Sequence, residues 1–339
     1  MSRKTVFITF PIILLIAVYF LGPTPHQNVW SLALPAVPQD PAALESFVAA
    51  NEAKHKIKTN NEARIVWFDS TKNKTPYSVV YLHGFTASQE EGDPVHIDFA
   101  KKFGCNLYLA RLADHGIDTT EQLMNFTGDR FWESAKEAMM IGKAIGDKVI
   151  LVSTSTGGTV ALVLAGEYPD DVHALINLSP NIAVNNETIW IANNPWGLQI
   201  ARKVVGGNYQ VVTDFTEERK QYWNATYRLE SVSALQQMIE EKMNKSTFGK
   251  VKCPSLTLYY YKDDSHQDPT VKVSAILEMN SQLGTPADMR VEKAIPGADA
   301  HVIGSSMTSK DLPAVEAAID DFAIQKLKMS PVTSSTTLQ

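Results

Sequence analysis

Residues 148–158 read KVILVSTSTGG, an unbroken apolar run that passes through Ser153-Thr154-Ser155-Thr156-Gly157-Gly158 into a helix-favouring stretch. A strand without polar alternation is the pattern of a central parallel strand buried on both faces. A serine on a strand-to-helix turn, with small residues two places before and two after it, is the nucleophile-elbow arrangement. The reason is steric: the turn is so sharp that larger side chains at those places would clash across it. The Thr156 N–H then points toward a reacting oxygen, and the helix N-terminus adds partial positive charge there. The same residues also read as a Ser/Thr-rich helix cap, which Ser153 and Thr154 suit. The flanking sequence has to decide.

Outward from this point the chain alternates in type. Strands are expected at 64–68, 78–82 (SVVYL), 106–112 (NLYLARL), 174–178 (ALINL), 255–261 (SLTLYYY) and 289–294. Between and after them lie helical stretches at 130–146, 156–168, 269–282 and 312–328, set by apolar spacing. Such alternation predicts an α/β fold, a mostly parallel sheet flanked by helices on both faces. Residues 181–252 interrupt it with helix-like sequence rich in aromatics, including Trp190, Trp196, Tyr222 and Trp223. An insertion there would sit above the carboxyl ends of the strands, where open α/β sheets bind ligands. The core is therefore expected at 41–180 and 253–329, the insertion at 181–252, and a disordered tail at 330–339.

The N-terminus reads differently. Residues 5–22 (TVFITFPIILLIAVYFLG) carry no charge and follow Arg3 and Lys4. That length lies at the lower edge of the roughly 17–25 apolar residues that cross a bilayer, and exceeds a signal-peptide core. Residues 1–22 are read as a signal anchor, or alternatively a signal peptide, with the rest outside the cytoplasm, periplasmic or extracellular, or secreted after cleavage. Residues 23–40, with Pro23, Pro25, Pro35 and Pro38, read as an extended linker. The net charge of −6 argues against a nucleic-acid binder. Cys105 and Cys253, the two cysteines, are read as buried free thiols.

The chemistry-bearing residues follow the strands. SVVYL leads into His83-Gly84-Phe85, the pattern whose next backbone N–H, that of Phe85, completes an oxyanion hole with Thr156. An ordinary glycine turn is the plainer reading, and position upstream of the elbow favours the functional one. Of the eight histidines, His26, His55 and His96 have no strand end to present them. His83 belongs to the turn, His115 to Asp114-His115-Gly116, and His173 precedes a strand. His301 lies on the last loop before the closing helix, where the order Ser…Asp/Glu…His places a general base. The carboxylate behind it would come from the segment after 255–261. Asp268 is favoured, with Asp264 and then Asp263 as alternatives, and Asp268-Pro269 also reads as a helix cap with proline in the first turn.

From residue 64 to 328 the chain resembles the α/β-hydrolase family, and within it the carboxylesterase and monoacylglycerol-lipase-like branch. The residues that carry the likeness are Leu82-His83-Gly84-Phe85, Arg111 with Asp114-His115-Gly116, Ser153 to Gly158, Asp268-Pro269-Thr270-Val271 and Ala300-His301-Val302. The resemblance implies an eight-stranded sheet and a lid, with Phe85 and Thr156 supplying the oxyanion hole. Ser153 departs from the glycine usual at that place, and Asp114 from a Gly-His-Gly.

The leading expectation is a serine hydrolase that cleaves carboxylic esters, lipid-type esters among them, through an acyl-enzyme on Ser155. An amidase, peptidase or acyltransferase with the same triad is the alternative. A non-catalytic, membrane-anchored binding protein on a hydrolase fold is the reading from a different class. No metal-ligand cluster or phosphate loop is seen in the sequence, and no cofactor is expected. The expected partners are a small-molecule or lipid ester and, through the N-terminal segment, a membrane.

Overall fold

The computed structural model describes residues 3–332, with side chains from residue 12 onward. Seven strands form the main sheet: β1 (Arg64–Val66), β2 (Thr75–Leu82), β3 (Asn106–Leu109), β4 (Gly146–Thr154), β5 (Val172–Leu178), β6 (Ser255–Tyr259) and β7 (Arg290–Ala294). Their order is β1-β3-β2-β4-β5-β6-β7, and only β1 runs antiparallel to its neighbour. The sheet is thus mostly parallel, with seven strands among the described residues instead of eight. The segment before β1 is helical: Pro41–Glu52 starts at Asp40, whose side chain accepts the Ala43 N–H, and its Ala-rich sequence lacks a β-branched run.

The burial of β4 follows the two-residue period of a strand. Val149 and Leu151 enter one core cluster, with Phe131, Trp132 and Leu162 from the helices Gly128–Ile145 and Thr156–Glu167. Ile150 and Val152 enter the other, with Phe99 and Phe322 from Val95–Phe103 and Leu312–Gln325. Covering both faces removes each of these side chains from water, worth about 1.5–3 kcal/mol apiece for the larger ones. It also explains why the run 149–152 has no polar residue.

Parallel register brings the strand ends to one edge. Leu82 is level with Ser153, Thr154 with Leu178, and Ala294 with Tyr259. The loops that follow β2, β4, β6 and β7 therefore leave the sheet side by side.

Several local expectations differ from the structure, and the strands expected at 64–68 and 106–112 already end at Val66 and Leu109. The strand expected at 255–261 stops at Tyr259, and Tyr261–Asp263 turns to pair with His266–Gln267. The helix expected from 269 begins at Val273, because Asp268 hydrogen-bonds the Thr270 and Val271 N–H groups in a separate turn. The insertion is not wholly helical: beside Gly197–Val205, Glu217–Tyr222 and Leu229–Lys242 it holds an antiparallel ribbon of Tyr209–Val211 with Thr226–Arg228.

The proline-rich stretch is extended, as its composition predicts, yet it is docked. Trp132 Nε1 donates to the Ser31 carbonyl at 2.8 Å, and Tyr168 Oη to that of Leu32 at 2.9 Å. Buried Lys136 donates to the Ser31 and Ala33 carbonyls at 2.8 and 2.6 Å. Cys105 and Cys253 are free and buried. Among the described residues no helix is long and apolar enough to cross a membrane. The expected anchor falls partly outside the residues whose side chains are described. Of the expected tail, 333–339 lie outside the described residues, and the Val332 N–H donates to the Lys102 carbonyl at 2.9 Å.

Candidate active site

Ser155 stands between β4 and the helix Thr156–Glu167 with φ 52° and ψ −118°. A non-glycine residue at such φ is strained, and the surroundings must hold it there. Its N–H donates to the Leu178 carbonyl at 3.0 Å, while its own carbonyl accepts from Gly158 and Asn181, each at 2.9 Å. The small neighbours are required. A Cβ on Gly157 would lie 1.9 Å from the Leu82 carbonyl oxygen, an impossible contact. At the other side of the turn Ser153 is buried and its Oγ donates to Asn177 Oδ1 at 2.9 Å, so a serine fits where glycine is usual.

The loop after β7 carries His301 back over Ser155. Ser155 Oγ lies 2.9 Å from His301 Nε2, and His301 Nδ1 lies 2.7 Å from Asp268 Oδ2. These partners assign the proton to Nδ1, which donates to the carboxylate, and leave Nε2 to accept from the serine hydroxyl. Asp268, 1% exposed, accepts at its other oxygen the N–H groups of Thr270 and Val271 at 2.8 and 3.0 Å. Burial pushes its pKa up, but His301 and the two N–H groups outweigh burial and hold it below the ordinary carboxylate value. For His301, burial pushes down, but the charge and hydrogen bond of Asp268 together with the Glu91 carboxyl outweigh it, so its pKa is raised. The alternatives stand elsewhere: Asp264 accepts the Tyr261 hydroxyl and Asp263 pairs with His266, all on an exposed hairpin.

Phe85 and Thr156 line the same cavity as Ser155, a space of about 890 Å³ between the strand ends and the insertion. Neither backbone N–H makes a hydrogen bond among the described residues. The turn carrying Phe85 is braced by His83, whose Nε2 accepts the Leu112 N–H at 3.0 Å and whose Nδ1–H donates to the Gly84 carbonyl at 3.0 Å. Burial pushes His83 well below its ordinary pKa, which keeps Nε2 an acceptor. His115 packs beside it with its ring tilted, 5.0 Å between ring centres, and Asp114 pairs with Arg130. These two residues are structural. Among the described residues no group of three or more His, Cys, Asp or Glu is placed to hold a metal ion.

Four charged residues that no sequence motif marks line the cavity, Glu91, Asp214, Arg219 and Asp299, and two of them stand out. Glu91, in the turn Gln89–Gly92, accepts the Gly84 N–H, and Arg219 reaches in from the insertion. Neither belongs to a motif, and their positions depend on long-range packing.

No family model matches the chain, and no curated protein matches it by sequence. Solved structures do. A structure from the work on LipS and LipT, two metagenome-derived lipolytic enzymes, aligns at TM-score 0.62 and 16% identity over 79% of this chain and 99% of its own. The monoacylglycerol lipase of Paleococcus ferrophilus aligns at 0.57 and 12%, over 78% and 98%. Est1E of Butyrivibrio proteoclasticus with bound ferulic acid aligns at 0.51 and 18%, over 79% and 95%. The chain has the α/β-hydrolase fold.

Proposed function

We propose that the chain is a serine hydrolase of carboxylic esters, with Ser155 as nucleophile, His301 as general base and acid, and Asp268 as the carboxylate that orients it. The observation that carries this reading is the unbroken hydrogen-bonded line from Ser155 through His301 to Asp268 at the base of a cavity. His301 takes the Ser155 proton as Oγ attacks the ester carbonyl, and Asp268 stabilises the imidazolium that forms. The carbonyl oxygen becomes negative beside the Phe85 and Thr156 N–H groups, whose fixed orientation lowers the barrier. His301 then protonates the leaving alcohol. A water activated by the same imidazole releases the acyl group from Ser155.

Ile189, Val212, Phe215, Tyr227, Leu235 and Met307 give the cavity apolar walls suited to an acyl or alcohol group. Most of these residues come from 181–252, which supports reading that segment as a cap. Structural neighbours that handle lipids and a ferulate ligand are consistent with esters of moderate size.

The N-terminal run is proposed as a membrane anchor that leaves the catalytic part outside the cytoplasm. Its support is that the described residues Ile12, Leu15, Phe20 and Leu21 are all exposed, which water disfavours and lipid does not. Recovery of the full chain in a carbonate-washed membrane fraction checks this, and recovery in the wash contradicts it.

Hydrolysis of p-nitrophenyl esters from acetyl to palmitoyl, by the full chain in mild detergent, tests the activity. Turnover that vanishes in Ser155→Ala is expected. A folded chain that turns over none of the series contradicts the ester reading.

A further inference from the structure

Glu91 is a buried carboxyl for which the scheme above has no use. It is 2% exposed and shares the cavity with Ser155 and His301. Its Oε2 accepts the Gly84 N–H at 2.5 Å. A Cβ on Gly84 would lie 2.9 Å from both Glu91 Oε1 and Ser155 Cβ, so the carboxylate and the nucleophile pack against the same side of Gly84. Gly84 in turn precedes Phe85, whose N–H faces the reacting oxygen in the proposed scheme. The carboxylate therefore fixes the peptide next to an oxyanion donor.

The cap meets the same turn. The Asn224 N–H donates to the Thr86 carbonyl at 2.8 Å, one residue beyond Phe85. Trp223 and Arg219, from the segment just before, both act on the Glu91 carboxyl. The Arg219 guanidinium lies 3.9 Å from the Phe215 ring centre and 5.3 Å from that of Trp223. Its buried Nε makes no hydrogen bond among the described residues. A cation so placed is held by rings and by the field of nearby carboxylates, Asp214 and Glu91.

We propose that Glu91 is a positioning residue of this site, pinning Gly84 and hence the Phe85 N–H behind Ser155 and coupling that turn to the cap through Arg219 and Trp223. The inference rests on the hydrolase reading. The groups that face Glu91 are Tyr81 from β2, His301 from the loop after β7, and Arg219 from the cap. Burial pushes its pKa up to about 7, with the Gly84 N–H, His301 and Arg219 pulling the other way. Near neutral pH the carboxyl thus changes charge, and on protonation Gly84 loses its strong acceptor while His301 loses a neighbouring negative charge.

The test compares Glu91→Ala and Glu91→Gln in the full chain, with kcat and KM measured on one water-soluble ester across pH 5.5–9. Glu91→Ala is expected to lower kcat about 10- to 100-fold with little change in KM, the loss seen when a catalytic donor is misplaced. Glu91→Gln keeps an oxygen for Gly84 and is expected to recover most of kcat, while the acid limb moves to lower pH because His301 has lost a facing negative charge. An unchanged profile in Glu91→Gln overturns the proposal, even where Glu91→Ala fails to fold. Equal kcat losses in both folded variants overturn it as well. A wild-type chain without turnover or fluorophosphonate labelling removes the hydrolase reading and this proposal together. A labelled wild type matched in rate by Glu91→Ala removes this proposal alone.

Discussion

Asp268, on the loop after β6, and Glu91, on the turn after β2, are carboxyls of the same cavity region with nearly the same burial, 1% and 2% exposed. Their pKa values move in opposite directions, down for Asp268 and up to about 7 for Glu91. Burial raises both. The difference is what compensates it: Asp268 has an imidazole at 2.7 Å and two backbone donors, whereas Glu91 has one backbone donor, with His301, Arg219 and Trp223 adding less. Burial alone therefore does not set the charge of a site carboxyl; the number and distance of its donors do.

The largest effect is expected where the charge is fully committed. Asp268→Asn should lower kcat about 10⁴-fold, because the amide leaves the imidazole in the wrong tautomer. Equal losses in Asp268→Asn and Glu91→Gln, read from steady-state kinetics, would erase the distinction between the two carboxyls. Gly84→Ala should come next. Its Cβ would meet Glu91 Oε1 and Ser155 Cβ at 2.9 Å, so kcat should fall and stability drop by about 1–3 kcal/mol in urea melts.

Stability against pH sharpens the comparison by sign. A carboxyl raised from 4.5 to about 7 contributes stability that is present below 4.5 and lost as pH rises through about 7. Relative to Glu91→Gln, the wild type should lose up to about 3 kcal/mol over that window, measured by denaturant melts at pH 4.5 and 8. Asp268 is lowered from 3.8, so its contribution is present above 3.8 and disappears only as pH falls further. The smallest effect is expected at the exposed hairpin: Asp264→Asn should change kcat less than about 2-fold, as surface substitutions do. A loss like that of Asp268→Asn would move the triad carboxylate to Asp264.

The alternation of strands and helices was legible because each element buries one face and so carries its own period. The elbow was legible because its steric demand falls on residues 153 to 157, close together in the chain. Ser155 and His301 follow from strand ends and motif order, whereas the carboxylate segment offers Asp263, Asp264 and Asp268 after one strand end; the parallel register brings those strand ends together. Glu91 was hidden because it gains its role only when Gln89–Gly92 folds back onto Gly84. The ribbon Tyr209–Val211 with Thr226–Arg228 was missed since three-residue strands are too short to show a period. The docking of the extended stretch near Ser31 is not legible in its composition because its partners, Trp132 and Lys136, lie about a hundred residues away. The resemblance implies an eighth strand, and the main sheet has seven among the described residues.

Covalent labelling tests the central claim most directly. The full chain would be treated with a fluorophosphonate at pH 8 and read by intact mass and peptide mapping, beside Ser155→Ala and His301→Ala. The expected result is one adduct on the peptide holding Ser155, absent from Ser155→Ala and much slowed in His301→Ala. A folded chain that takes no adduct, or takes it on another residue, would contradict the assignment of Ser155 as the nucleophile.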